Sequence, residues 1–129
     1  MRFISDKGEC MGFEHEIMRK RIYERSGIVM CDASYLELLQ SEWSPKFEQL
    51  MRNRLVMGAI RHGRLHDPDK PKYDRIGYMR AKLDDLERRQ KPENLVDISN
   101  TSMVMFEEDF GGVCDEFEDD GHIHTMIKR

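Results

Sequence analysis

Proline and glycine residues divide the chain between Ser44 and Gly112 into three helix-length segments. Ser44-Pro45 favours a helix start, because serine can cap free backbone amides and proline loses no needed donor at the first helical position. Each segment repeats its apolar residues with the 3.6-residue period of a helix. We therefore predict an all-α helical bundle of four or five helices with negligible strand content, whose central helices span about 45–62, 73–90 and 92–109.

The segment 92–109 has two faces of different character. At about 100° per residue, one face holds Leu95, Ile98, Ser99, Ser102, Met105 and Phe106. The opposite face holds Glu93, Asp97, Asn100, Val104, Glu107 and Glu108. We expect the first face to pack against other helices. The second is either a solvated surface or one wall of a divalent-metal site, since Mg²⁺ prefers oxygen ligands.

Charge is distributed unevenly along the chain. Residues 46–91 contain 13 Lys and Arg against 7 Asp and Glu, whereas residues 92–129 contain 2 against 10. Two interpretations remain open. Helices of opposite charge can attract one another within one bundle, or a basic wall for phosphates can lie opposite an acidic wall for Mg²⁺.

Arg54 and Arg61 share the apolar face of the predicted 45–62 helix. An unpaired buried guanidinium is costly, so these side chains need partners or access to solvent. Asp97 or Glu107 could supply a carboxylate, and Asp97 is the partner that we expect for Arg54. Alternatively, both arginines could open onto a cavity and bind phosphate through their forked donors.

Val56 and Ile60 project from the other side of the same helix. The helix is therefore expected to be contacted on two sides. Because a chain of 129 residues offers few internal partners for both sides, we expect it to form a homo-oligomer, most simply a dimer.

The size of the chain predicts one domain with three parts. Residues 1–31 form an N-terminal accessory segment with a short helix, residues 32–110 the helical core, and residues 111–129 an acidic tail. Within that tail, His122 and His124 lie close to two aspartates and could bind a transition metal, although such tails are usually free in solution.

Three cysteines without a Cys-x-x-Cys pair indicate a reducing compartment and no structural zinc. There is no apolar signal core and no run of about 18 apolar residues, so we expect a soluble cytoplasmic protein without a membrane partner. The sequence contains no glycine-rich phosphate loop, helix-turn-helix signature or activated nucleophile. With a net charge of −4, a nucleic-acid partner is not expected.

Four stretches resemble a group of small phage and prophage proteins, over about residues 28–124. They are Ser41-Glu42-Trp43-Ser44-Pro45-Lys46-Phe47, Met51-Arg52-Asn53-Arg54-Leu55-Val56-Met57-Gly58, Arg61-His62-Gly63-Arg64-Leu65 and Leu95-Val96-Asp97-Ile98-Ser99-Asn100. The helical outline is similar to the all-α nucleoside triphosphate pyrophosphohydrolases of MazG type. That resemblance implies carboxylate-bound Mg²⁺, attack of water on a nucleoside triphosphate, and an oligomer in the cytoplasm of an infected or lysogenic bacterial host.

The resemblance also implies roles for individual residues. Asp97 matches the last residue of the class motif Glu-x-x-Asp, while position 94 is Asn and Glu93 lies one residue out of register. No Glu-Glu-x-x-Glu motif precedes it, so either Glu48 on the first long helix or Asp84 and Glu87 on the second would have to substitute. Glu48 is the residue that we expect to join Asp97 and Glu93 as a catalytic carboxylate. Asp97 and Glu93 would bind Mg²⁺. The substrate would be bound by Arg54, Arg61, Arg64 and Asn100.

Two functions from different classes follow. The first is a phage-type nucleotide-handling protein, in its fullest form a Mg²⁺-dependent nucleoside triphosphate pyrophosphohydrolase. The second is a non-catalytic helical module that sequesters a nucleotide or inhibits a host defence protein. The missing glutamate motif favours the second function, and the paired acidic and basic faces favour the first.

Overall fold

The computed structural model describes residues 10–26 and 31–117, and in these ranges all regular secondary structure is α-helical. The helices are α1 (Cys10–Ser26), α2 (Tyr35–Ser41), α3 (Pro45–His62), α4 (Arg75–Arg89) and α5 (Glu93–Asp109). The predicted all-α class and the positions of the central helices are thereby confirmed. None of the described helices combines the length and apolar character that a membrane crossing requires.

The chain divides into two compact units. The described part of the first unit comprises residues 10–26, 31–43 and 115–117, and it contains α1 and α2. The second unit comprises residues 44–114 and contains α3, α4 and α5. The histidine pair of the acidic tail, His122 and His124, lies outside the described residues.

Side-chain caps define where α2, α3 and α4 begin. Ser34 and Glu37 form a capping box at the start of α2. The hydroxyl of Ser44 accepts a hydrogen bond from the Phe47 amide at 3.0 Å, as its position before Pro45 predicts. Asp74 caps α4 through the Gly77 amide, at 2.9 Å. These local signals explain why the helix starts could be located in the sequence.

In the first unit, α1 packs against α2. The ring of His15 stacks on Tyr35 with 5.8 Å between ring centroids, and the Tyr35 hydroxyl donates a hydrogen bond to Glu14 at 3.0 Å. The guanidinium of Arg19 donates to the backbone carbonyl of Cys31, just before α2. Aromatic stacking and these polar contacts therefore hold the two helices together.

In the second unit, α5 packs against both α3 and α4, and the described residues of α3 and α4 make no direct helix contact with each other. Val96 is only 6% exposed, and Asn94 and Asn100 are also buried. The prediction divided α5 into a packed face and an opposite face that was either solvated or metal-binding, and it was wrong for Leu95 and Asn100. Leu95, assigned to the packed face, is 44% exposed, whereas Asn100, assigned to the other face, is buried. The reason is that α5 has a neighbouring helix on each of two sides.

Candidate functional site

The carboxylate of Asp97 connects all three helices of the second unit. From α3, Arg54 donates to Asp97 Oδ1 through Nε at 3.1 Å, and through Nη2 to both oxygens at 2.9 Å. From α4, the Lys82 ammonium lies 3.1 Å from Asp97 Oδ2. The Asp97 side chain is only 11% exposed. The Arg54–Asp97 pair expected from the sequence is confirmed, and its geometry is that of a forked, charge-assisted hydrogen bond.

Lys82 was not among the residues singled out in the sequence. Burial works to lower the pKa of Lys82, but the hydrogen bond that its ammonium donates to Asp97, together with the neighbouring Tyr78, outweighs burial, so the pKa is raised above its ordinary value. The ammonium also lies 5.3 Å from the centroid of the Tyr78 ring. A usable signal was present, since Lys82 falls within about 60° of Met79 and Leu86 on the helical wheel and thus on the apolar stripe of α4.

The end of α5 is paired with the start of α4. Arg75 donates to Glu108 and, at 3.0 Å, to Asp109. Its side chain is largely buried between these carboxylates. The sequence placed Glu108 on a face that was either solvated or metal-binding, whereas the structure gives it an arginine partner. This second ion-pair cluster closes the α4–α5 contact at the end opposite to the α4–α5 turn.

The residues expected to hold Mg²⁺ do not assemble a metal site. Both oxygens of Asp97 face cations, which would repel a divalent metal ion at the same position. Glu48 lies 3.6 Å from Arg52 on its own helix, and Glu93 is exposed in the first turn of α5. Among the residues that the structure describes, no three or more His, Cys, Asp or Glu side chains are grouped as metal binding would require. The residues present therefore do not fit the metal, and a catalytic role for Asp97, Glu93 and Glu48 stays a prediction.

A cleft of about 1210 Å³ opens beside the Asp97 carboxylate. It is lined by the second half of α3, the connection between α3 and α4, the first turn of α4 and the second half of α5. Three of the predicted site residues on these helices, Arg54, Arg61 and Asn100, border the cleft together with Asp97. Arg64 is exposed and does not line it, although the Arg64 carbonyl accepts a hydrogen bond from the Asp67 amide at 3.2 Å.

Cations and carboxylates of the cleft differ in how they are paired. The carboxylates of Asp97, Glu108 and Asp109 pair with arginine or lysine, and Asp74 caps α4. The fifth carboxylate of the lining, Asp67, accepts a hydrogen bond from the Asp69 amide at 3.1 Å. In contrast, the lining cations Arg61, Lys70 and Lys72 have no carboxylate within 4.0 Å among the described residues. Two histidines, His62 and His66, stand in the same lining. The connection between α3 and α4 thus presents lysine side chains that form no ion pair within the described part of the chain, although it also carries Asp67 and Asp69.

Asn100 occupies the contact between α5 and α3. Its Nδ2 donates to the Met51 carbonyl at 3.0 Å, which fixes the orientation of the amide because that carbonyl can only accept. The Oδ1 atom is enclosed and has no hydrogen-bond partner among the described residues. Asn100 therefore aligns two helices at the floor of the cleft, while its predicted contact with substrate stays a prediction.

Comparison with known proteins adds no assignment to this geometry. No protein-family model matches the chain, and the searches of curated proteins and of solved structures return no match either.

Proposed function

We propose that this protein binds a phosphorylated small molecule of the nucleotide class in the cleft beside Asp97, and that it does so without hydrolysing it. The observation on which the proposal depends is the set of three lining cations, Arg61, Lys70 and Lys72, that lack carboxylate partners among the described residues. Lysine and arginine are the side chains that proteins use for phosphate recognition, arginine through its fork and lysine as a point charge.

The other walls of the cleft suit the remaining parts of a nucleotide. Tyr73 and Tyr78 both line it, and both side chains are substantially exposed. Exposed aromatic rings beside a cationic surface provide stacking platforms for bases. The volume of about 1210 Å³ is ample for a ligand of this size, since pockets for small molecules usually measure about 300–1,000 Å³.

Binding is favoured over hydrolysis by the surroundings of Asp97. A pyrophosphohydrolase of the type that the sequence resembles needs carboxylates free to hold Mg²⁺. Here the Asp97 oxygens are bound by Arg54 and Lys82, and turnover would require Asp97 to exchange both cations for a metal. We therefore propose the non-catalytic binding module. Observed hydrolysis of a nucleotide would replace this proposal by the pyrophosphohydrolase.

Thermal unfolding in the presence of nucleotides tests the proposal. ATP, ADP, AMP and pyrophosphate, each with and without Mg²⁺, separate recognition of phosphate from recognition of the base. A ligand at about 100 times its dissociation constant stabilises the folded protein by about 2.7 kcal/mol. We expect at least one nucleotide to stabilise the protein more than pyrophosphate does, and to be recovered unchanged.

Two variants connect the binding to the cleft. The triple variant Arg61→Ala, Lys70→Ala, Lys72→Ala should lose the stabilisation. The matched control is the double variant Arg80→Ala, Lys91→Ala, which removes exposed cations that do not line the cleft and should keep it. Release of pyrophosphate that disappears in Asp97→Asn would replace the proposal by the hydrolase. If no nucleotide shifts the unfolding temperature and none is hydrolysed, both nucleotide binding and nucleotide hydrolysis are excluded as the function of the cleft.

A further inference from the structure

Helices α1 and α2 of the first unit border a groove of about 700 Å³. Both walls follow the spacing i, i+3, i+4 and i+7, which corresponds to one face of a helix. The lining consists of His15, Met18, Arg19 and Ile22 from α1, Tyr35, Leu38 and Leu39 from α2, and Cys31, Glu42 and Trp43 beside α2. Pockets for small molecules usually measure about 300–1,000 Å³, so the groove has the size of such a pocket.

The α2 wall of the groove is apolar and open to solvent. Leu39 is 47% exposed and Trp43 is 60% exposed, although both side chains line the same groove. Large apolar side chains that converge on one cavity are typical of a binding site, and an occupant that covers them gains the free energy of apolar burial. The occupant therefore needs an apolar part.

Arg19 gives the groove a charge requirement at one end. This side chain is half-buried, and its guanidinium donates through Nη1 to the Cys31 carbonyl, just before α2. Among the residues that the structure describes, no carboxylate lies within 4.0 Å of Arg19. A half-buried guanidinium without an anion is unfavourable, and its remaining donors have the forked geometry that fits a carboxylate. The Arg19 end of the groove therefore favours an anionic group.

The other end of the groove has the opposite charge. Glu42 lines it and follows the last residue of α2. At about 1.5 Å per residue, Ser34 and Glu42, which flank α2, are about 12 Å apart, and Leu38 and Leu39 lie between them. A second anionic group at this end would be repelled by Glu42. The groove is therefore suited to a molecule with a negative charge at one end only.

We propose that the groove between α1 and α2 binds an amphipathic monocarboxylate, a molecule with one carboxylate and an apolar chain or ring system. The carboxylate is bound by the remaining donors of Arg19, and the apolar part lies along Leu38 and Leu39 towards Trp43. This site belongs to the first unit. It does not depend on the function proposed for the cleft, which belongs to the second unit.

Fluorescence titration tests the site, because Trp43 is the single tryptophan of the chain and lines the groove. Decanoate should shift the Trp43 emission to shorter wavelengths in a saturable manner, since it replaces water around the indole. Three compounds with the same ten-carbon chain define the charge requirement. 1-Decanol lacks the carboxylate, decyltrimethylammonium carries the opposite charge, and decanedioate brings a second carboxylate to the Glu42 end. Each should bind at least ~10-fold more weakly than decanoate.

Variants connect the binding to the residues of the groove. Arg19→Gln should raise the dissociation constant for decanoate at least ~10-fold without changing that for 1-decanol, whereas Leu39→Gln should weaken the binding of both compounds. The matched controls are Lys20→Gln on α1 and Leu36→Gln on α2, which change an exposed cation and an exposed leucine outside the lining. Both controls should bind decanoate within about twofold of the wild type. Circular dichroism should show the same helix content in all variants.

Several outcomes would overturn the proposal. Equal affinity of the wild type for decanoate and 1-decanol would mean that Arg19 takes no part, and this comparison needs no variant. Lys20→Gln that weakens binding as much as Arg19→Gln would remove the site from the groove. The proposal is also wrong if no compound shifts the Trp43 emission. In that case, self-association in sedimentation experiments that Leu39→Gln abolishes would show that a second copy of the chain fills the groove.

Discussion

Arg54 donates to both carboxylate oxygens of Asp97 across 43 residues of sequence, and this pair joins the first helix of the second unit to the last. Because Lys82 reaches the same carboxylate from α4, the carboxylate of Asp97 is a structural centre for three helices. We therefore expect substitutions at Asp97 to affect the stability of the fold.

Removal of the Arg54 side chain should destabilise the second unit. We expect Arg54→Ala to lower the free energy of unfolding by about 1–3 kcal/mol, and Arg54→Met to lower it less, because methionine keeps the aliphatic packing. Urea denaturation measures the change. The control is Arg52→Ala, whose exposed pair with Glu48 spans 3.6 Å and should contribute no more than about 0.5 kcal/mol. Equal effects of Arg54→Ala and Arg52→Ala would contradict a structural role for the Arg54–Asp97 pair.

Substitution of Asp97 tests the same interaction through its carboxylate. Asp97→Asn should also destabilise the protein, because Arg54 and Lys82 would be left beside a neutral side chain. In the double variant Arg54→Ala, Asp97→Asn, the two losses should not add, since both remove one interaction. Fully additive losses would mean that the observed pair contributes nothing to stability.

The buried amide of Asn100 should discriminate against a carboxylate of almost the same shape. Asn100→Asp would place an acceptor against the Met51 carbonyl, so at neutral pH it should cost at least about 2 kcal/mol. Asn100→Ala should cost less, because it removes one hydrogen bond without introducing a charge. The difference between the two variants should narrow as the pH falls towards about 4, where the new carboxyl is protonated and can donate. A difference that is constant with pH would contradict this explanation.

Acid stability should depend on Asp85 at the turn between α4 and α5. Hydrogen bonds from Arg89 and then Asn94 lower the pKa of Asp85 from 3.8 to about 2. Because the folded pKa lies below the unfolded one, the stabilisation is present above about pH 4 and is lost as the pH falls to about 2. Denaturation measured at intervals between these limits should show a steeper loss for the wild type than for Asp85→Asn. Parallel curves would show that the pairing does not stabilise the fold.

Two glycines in helices should respond differently to alanine. At Gly58 an added Cβ meets no atom within 4 Å, so Gly58→Ala should stabilise the protein by about 0.5–1 kcal/mol. At Gly77 the Cβ would lie 2.3 Å from the Asp74 carboxylate, which would have to leave its capping position. We therefore expect little or no gain from Gly77→Ala. In an Asp74→Ala background, where the cap is already absent, Gly77→Ala should recover the gain that Gly58→Ala shows.

The positions of the helices could be predicted from the sequence, because helix starts and ends are determined by a few neighbouring residues. Ser44 followed by proline defined the start of α3, and Gly63 ends that helix with a φ of 93°. The Arg54–Asp97 pair could also be predicted, since a guanidinium on an apolar face requires a carboxylate nearby. Both inferences need only one helix and a general rule about buried charge.

Which faces of α5 are buried could not be predicted in the same way. A helical wheel describes one helix and does not reveal how many neighbours that helix has. With α3 on one side and α4 on another, α5 buries Asn100 and pairs Glu108 with Arg75, although both residues were assigned to its polar face. Lys82 was not singled out, because a helical wheel places it near the apolar stripe of α4 but does not show that its ammonium reaches Asp97 on another helix.

The position of α5 between α3 and α4 also has a consequence for how the second unit folds. Contacts between α4 and α5 are close in sequence, as between Asp85 and Asn94 nine residues apart, whereas α3 reaches α5 across 43 residues. Since short loops close at lower entropic cost, we expect the α4–α5 hairpin to form early and α3 to dock later. Loss of the Arg54 side chain should then accelerate unfolding more than it slows folding, while disruption of the α4–α5 turn should do the reverse. The helix that holds the arginine would be the last part of this unit to arrive and the first to leave.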